Sequence, residues 1–243
     1  MPQYPSTVTD QRRRARTARL AIGVTLAFAL LLPAAAGPAA PPVAAGSCTG
    51  WGSTSRPPET IRVLRASGRV EVVDFKRYVV VVTAKEWPSY IPRAAIETGA
   101  AAVKQYGWIK TLAGNHRASF VNSGGRCYDV VDSTRDQLYR PETANVTADI
   151  RRAVDSIWGL SLRKNGRFFE TGYRTGSSTR CGRDADGRLL YARSIIDCAR
   201  RGMSRQEIQF RYYGRSLSLH WTDGRVITAS GGTQAEPEPE PRS

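Results

Sequence analysis

One carboxylate in this sequence stands where acid chemistry needs it. Glu86 follows the apolar run 78–82 and precedes Trp87-Pro88-Ser89-Tyr90-Ile91-Pro92. The run is valine-rich and β-branched, the composition of a buried strand, and Pro92 suits the first position of a helix. A carboxyl group at such a strand end, against an aromatic ring, is partly desolvated. Its pKa rises and it becomes a candidate general acid. The competing reading pairs Glu86 with Lys85 or a nearby arginine at the surface, since structural ion pairs also perturb carboxylates. Further on, residues 127–134 read as an extended segment with Asp132, Ser133 and Thr134 at its end. Those groups suit the rim of a carbohydrate groove, although Asp132 serves equally well to cap the following turn. Gln137 and Tyr139 then add an amide and an aromatic ring suited to a sugar. His116 and His220 are the two histidines. No nucleophile elbow accompanies them, so a hydrolase triad is set aside and both read as structural.

The elements around these residues alternate in type. Residues 61–64 and 70–75 read as strands flanking an Ala66-Ser67-Gly68-Arg69 turn. Residues 92–112 read as a helix with Ile96, Ala100, Val103 and Gly107 on one face. Gly99 and Gly107 each cost about 1 kcal/mol relative to alanine in an exposed helix, so close packing is the expected compensation. Gly114 and Asn115 are the expected helix stop. A helix is expected over 145–158, with Ile150, Val154, Ile157 and Trp158 aligned. Asn165-Gly166 is a strong hairpin signal. Residues 191–202 read as a short helix, Ser204 caps another over 205–213, and a hairpin is expected over 217–228 around Asp223-Gly224. Asp184-Ala185-Asp186-Gly187 lacks the spaced ligands of a calcium loop and reads as a surface turn. The pattern gives an α+β fold with mixed strands and a central small-residue helix.

The ends differ in character from the middle. An arginine cluster (Arg12, Arg13, Arg14, Arg16, Arg19) precedes the apolar segment 21–36 and a run of small residues and prolines, the layout of a secretory signal. Cleavage is expected near Ala35-Ala36 or Ala44-Ala45; an uncleaved membrane anchor is the alternative, opposed by the short span and by Pro33. The tail repeats Glu-Pro and reads as disordered. Boundaries follow: 1–46 signal or anchor with linker, 47–60 linker, 61–228 the folded domain, and 229–243 the acidic tail. The formal charge of +15 suits an anionic polymer partner. No helix-turn-helix, zinc-finger or RNA-binding pattern supports nucleic acid. Four cysteines, Cys48, Cys127, Cys181 and Cys198, suit two disulfides in an exported protein, with three possible pairings. Cys181 with Cys198, around an Asp/Gly-rich loop, and Cys48 with Cys127 is the preferred arrangement. No C-x-x-C or Cys-His pair supports zinc, and no cofactor is expected.

Lys85-Glu86-Trp87-Pro88, Ala100-Ala101-Ala102-Val103-Lys104-Gln105-Tyr106 and Asp132-Ser133-Thr134-Arg135-Asp136-Gln137-Leu138-Tyr139 follow one another in an order and spacing that resembles the SpoIID/LytB family. This is the stage II sporulation protein D and amidase-enhancer group. The resemblance extends over 61–214, including Glu170-Thr171-Gly172-Tyr173-Arg174-Thr175-Gly176-Ser177-Ser178, which is similar to a strand and loop near the family's cleft. It departs from the family pattern at Gly99, where glutamine is usual. Lys104 stands in place of an arginine, and Gly176-Ser177-Ser178 in place of Ser-Gly-Gly. At Arg135-Asp136 some members carry a His-Cys pair, so this departure speaks against a metal there. The resemblance implies an exported lytic transglycosylase of peptidoglycan. Glu86 would be its single general acid/base, and Lys104, Asp132, Gln137, Tyr139 and Arg174 would position glycan. The alternative it implies is a non-catalytic wall-binding module that assists a cell-wall amidase. Sporulation itself does not follow from the resemblance.

Overall fold

Asp74 decides how the chain enters the centre of the fold. Its side chain accepts the amide of Arg77 at 2.7 Å and so starts a helix. The computed structural model describes residues 48–113, 121–230 and 233–235. Strands β1 (Thr60–Leu64) and β2 (Val70–Asp74) form the expected antiparallel hairpin. Helix α1 (Phe75–Glu86) follows at once, so the strand expected over 78–82 is corrected to a helix. The physical reason is burial on every side. Tyr78, Val79, Val80, Val81, Val82 and Thr83 are all buried, against α2 (Arg93–Thr111), α3 (Ala148–Ser156) and the hairpin. A helical stretch buried on all sides shows no amphipathic period, and its β-branched residues then mimic a strand.

Helix α2 is the element the others pack on, touching α1, α3, α4 (Ala192–Arg200) and α5 (Arg205–Tyr213). Its two interior glycines are filled by neighbours. A Cβ on Gly107 would lie 2.9 Å from the Tyr78 ring, and one on Gly99 would lie 2.2 Å from the Trp87 indole. Gly99→Ala is therefore expected to destabilise the protein by about 1–3 kcal/mol, as overpacking does, although alanine is the better helix former. A lowered urea midpoint with unchanged slope checks this.

The remaining strands are β3 (Val130–Val131), β4 (Leu160–Lys164), β5 (Arg167–Phe168), β6 (Tyr173–Arg174), β7 (Leu190–Tyr191), β8 (Leu217–Trp221), β9 (Arg225–Thr228) and β10 (Thr233–Ala235). They form a three-stranded sheet in the order β2-β1-β3, a five-stranded sheet β10-β9-β8-β4-β5 and the parallel pair β6-β7. Asn165 and Gly166 both take positive φ at the β4–β5 turn, which the residue pair favours. Ser204 and Glu207 close a capping box on α5. The bridges Cys48–Cys127 and Cys181–Cys198 are formed. The first ties the approach to β1 to the segment leading into β3, and the second ties the 176–190 loop to α4. No helix of the described residues is long and apolar enough to cross a membrane. The expected signal segment, the helix stop at Gly114-Asn115, His116 and the Glu-Pro repeat lie outside the described residues.

Candidate functional site

Glu86 ends α1, and the chain turns at Trp87 into the Pro88–Ile91 loop. The turn is held by the Trp87 amide, which donates to Thr83 O at 2.8 Å. It is also held by Trp87 itself, which is buried and keyed into the gap at Gly99. The carboxyl group therefore sits on a rigid corner. It opens into a cleft of about 650 Å³ whose walls come from three segments: Thr134–Leu138, Glu170–Thr175 and the Leu189–Ala192 stretch. Tyr106 of α2 forms part of the floor.

Burial raises the Glu86 pKa above the ordinary carboxylate value. The Leu138 amide, donating to Oε1 at 3.4 Å, and the neighbouring Lys85 pull the other way and do not cancel it. Glu86 is the last residue of α1, and an anion is disfavoured at a helix C-terminus. Two other carboxylates line the cleft, and both are committed. Asp136 accepts the Tyr106 hydroxyl at 2.7 Å and the Val131 amide at 2.8 Å. Glu170 pairs with Lys110 at 2.8 Å.

Of the six residues read as site candidates, the structure brings Glu86, Gln137 and Arg174 to the cleft. Arg174 is exposed at its rim. Gln137 is buried; its Oε1 accepts the Tyr78 hydroxyl at 2.8 Å, which fixes the amide so that Nε2 faces away from Tyr78. That Nε2 lies beside the hydroxyl of Tyr173, the next phenol in line. Tyr173 stands edge-on to Trp87 with ring centroids 5.9 Å apart. Burial pushes its pKa well up, the nearby Glu86 charge adds to the rise, and the Gln137 contact pulls it down. Tyr78→Phe removes the donor that sets the amide. It is expected to cost about 1–3 kcal/mol, the range for a buried acceptor left unmade, read as a drop in urea midpoint.

The other three do not line the cleft. Lys104 is 1 % exposed and donates from Nζ to the carbonyls of Ile157, Trp158 and Leu160 at 2.8, 2.7 and 2.5 Å. It closes the exit of α3 instead of meeting glycan. Asp132 is buried between Arg140 at 2.9 Å and Arg65 at 3.4 Å. The Tyr139 ring is in the core, stacked on Tyr78 at 5.6 Å under the Arg65 guanidinium. A charged or aromatic residue in a motif says nothing of which way it faces, and here all three face inward. Tyr106, Asp136 and Tyr173 were not singled out by sequence. The only available signal for Tyr173 was its place in the segment that also carries Arg174. At Arg135-Asp136, both Asp136 oxygens accept hydrogen bonds, from the Tyr106 hydroxyl and the Val131 amide. Among the described residues no cluster of three or more His, Cys, Asp or Glu side chains is placed to hold a metal.

The fold and cleft define an α+β domain built on a small-residue helix, with one uncommitted carboxyl in a polar groove. Residues 65–162 match the SpoIID family model, described as stage II sporulation protein, so this stretch is similar to that family. The match supports a cell-wall-related role. It contains Glu86, Tyr106, Asp136 and Gln137, whereas Tyr173 and Arg174 lie beyond it. No curated protein matches the chain. The two disulfides fit an extracytoplasmic location.

Proposed function

We propose that the protein is an exported lytic transglycosylase that cleaves the muramyl–glucosaminyl strands of peptidoglycan. One observation carries the reading: a single uncommitted carboxyl, Glu86, whose pKa burial raises, lines a groove of about 650 Å³. Protonated Glu86 gives its proton to the glycosidic oxygen as the C1–O bond breaks. The carboxylate so formed takes the proton of the muramyl C6 hydroxyl as that oxygen bonds to C1, which leaves a 1,6-anhydro end and a restored acid. A glycosidase that uses water or a covalent intermediate needs a second carboxylate. Asp136 and Glu170 are engaged elsewhere, and the intramolecular route does without them. Arg174 at the rim and the oriented Gln137 are the proposed glycan contacts. The wall polymer is the proposed substrate and a cell-wall amidase a proposed partner. The N-terminal segment is the proposed export signal.

Digestion of denuded glycan strands, with mass spectrometry of the products, tests this. Anhydro-muramyl ends are the expected outcome. Reducing ends would indicate hydrolysis instead. Glycan binding without any cleavage would leave a wall-binding module and overturn the enzymatic reading.

A further inference from the structure

A second concavity lies away from the cleft, on the polar face of the five-stranded sheet. Strands β4 and β8 pair with Ser161 opposite His220 and Arg163 opposite Ser218. The alternate residues Leu160, Leu162, Leu217 and Leu219 point into the core. The chain ahead of β1 crosses this face at Ser55 and Arg56. It is pinned there by the Trp51 indole, which donates to Arg56 O at 2.7 Å, and by the Trp108 indole, which donates to Ser53 O at 2.8 Å. A cavity of about 350 Å³ remains between them.

Its lining is one-sided in charge. Arg56, Arg163 and His220 meet there with the hydroxyls of Ser55, Ser161 and Thr222, and among the described residues no carboxylate lines it. Arg62 and Arg65, by contrast, are matched, Arg62 by Asp129 and Arg65 by Glu71, Asp132 and Glu142. Arg56 and Arg163 make no ion pair among the described residues, and the Nε of Arg163 is buried with no hydrogen-bond partner. A buried donor on a charged group is costly to leave unmade, and a ligand oxygen would complete it. Two guanidinium groups, an imidazole and the hydroxyls offer more donors than two carboxylate oxygens accept. They suit the several oxygens of a phosphate.

We propose that this cavity is a phosphate-binding site, formed by Arg163 and His220 on the sheet and Arg56 on the crossing segment. It is independent of Glu86 and of the glycan reading. The ligand is either free phosphate or the phosphodiester of an anionic polymer outside the cell.

The test uses the full chain at low salt. Inorganic phosphate and a poly(glycerol phosphate) chain are each titrated by calorimetry, and the His220 ring signal is followed by NMR. Saturable binding at one site per chain is expected, with the His220 signal moving as phosphate binds. Arg56→Gln and Arg163→Gln should each weaken binding at least tenfold. Arg93→Gln is the control, because Arg93 lies on α2 and pairs with Glu97; it should leave binding unchanged. Polymer binding at least tenfold tighter than phosphate, and lost in the same two variants, assigns the site to the polymer; equal affinities assign it to free phosphate. Binding that survives in Arg56→Gln, or that falls equally in all three variants, overturns the proposal, since the attraction is then diffuse charge. If Arg163→Gln unfolds, Arg56→Gln decides alone, because its side chain is exposed.

Discussion

Glu86→Gln is expected to abolish formation of anhydro-muramyl ends, with a rate loss of about 10²–10⁴-fold, the range a positioned acid contributes, while the protein stays folded and binds glycan as before. Glutamine keeps the shape and still accepts the Leu138 amide, but it has no proton to give. The side chain is half-buried at a corner fixed by Trp87 and Gly99, so the exchange disturbs no packing. Its effect on stability has a definite sign. The folded pKa of Glu86 lies above the unfolded value. The stability it contributes is therefore fully present below the unfolded carboxylate range and is lost as pH rises through the raised folded value. Above that point the wild type holds a desolvated anion and the glutamine variant does not. Glu86→Gln should consequently melt at or above the wild-type temperature at neutral pH, and the difference should vanish in acid. The wild-type cleavage rate should fall over the same interval as pH rises, because the acid is then lost. A variant that melts lower than wild type at every pH, or that keeps its cleavage rate, would remove Glu86 from the proposed chemistry.

That Glu86 stood out in the sequence, while its support did not, has a physical cause. The residue types were informative where the backbone imposes a local rule. Ser204 with Glu207 marks a helix start, Asn165-Gly166 marks a tight hairpin, and Asp223-Gly224 marks another; each is realised, with Gly224 at positive φ. The cysteines were informative because two bridges close two loops. Local rules failed at α1, since a valine run buried on all sides carries no periodicity, and the one local signal, the Asp74 cap, lies ahead of the run. The same limit governs the site. Gln137 and Arg174 do line the cleft, but Asp132 and Tyr139, drawn from the same short motif as Gln137, face the interior. Adjacent residues of an irregular segment point in different directions, and only tertiary packing sorts them. Gly99 shows the converse. Its cost within a helix was legible, but its partner, the Trp87 indole, is twelve residues away in sequence and shares the corner that aims Glu86.

Lys104 is the residue whose removal should damage the protein most. It lies in the middle of α2, 1 % exposed, with its ammonium against three carbonyl oxygens at the end of α3 and the start of β4. The indole rings of Trp108 and Trp158 stand 5.7 and 5.5 Å from Nζ. Those carbonyls belong to a helix exit, where backbone acceptors lack intrahelical partners, and a cation is favoured at that pole. Burial depresses the Lys104 pKa, with Arg205 adding to the drop, while the three acceptors and two aromatic faces work to keep the proton. Lys104→Ala empties the stem, a truncation worth about 2–5 kcal/mol in a core. It also strands the acceptors, each at a cost of about 1–3 kcal/mol when fully unmade. Against a total stability of about 5–15 kcal/mol for an ordinary domain, the variant should be largely unfolded at 37 °C, read by circular dichroism and a collapsed urea midpoint. Lys104→Met separates packing from hydrogen bonding, because it refills most of the stem and none of the donors; it should recover part of the loss. Lys104→Arg should recover less than its charge suggests, since a planar fork does not match three acceptors arranged around a point. Full stability in Lys104→Ala would show the buried ammonium to be incidental and return the residue to the list of groups available to a ligand.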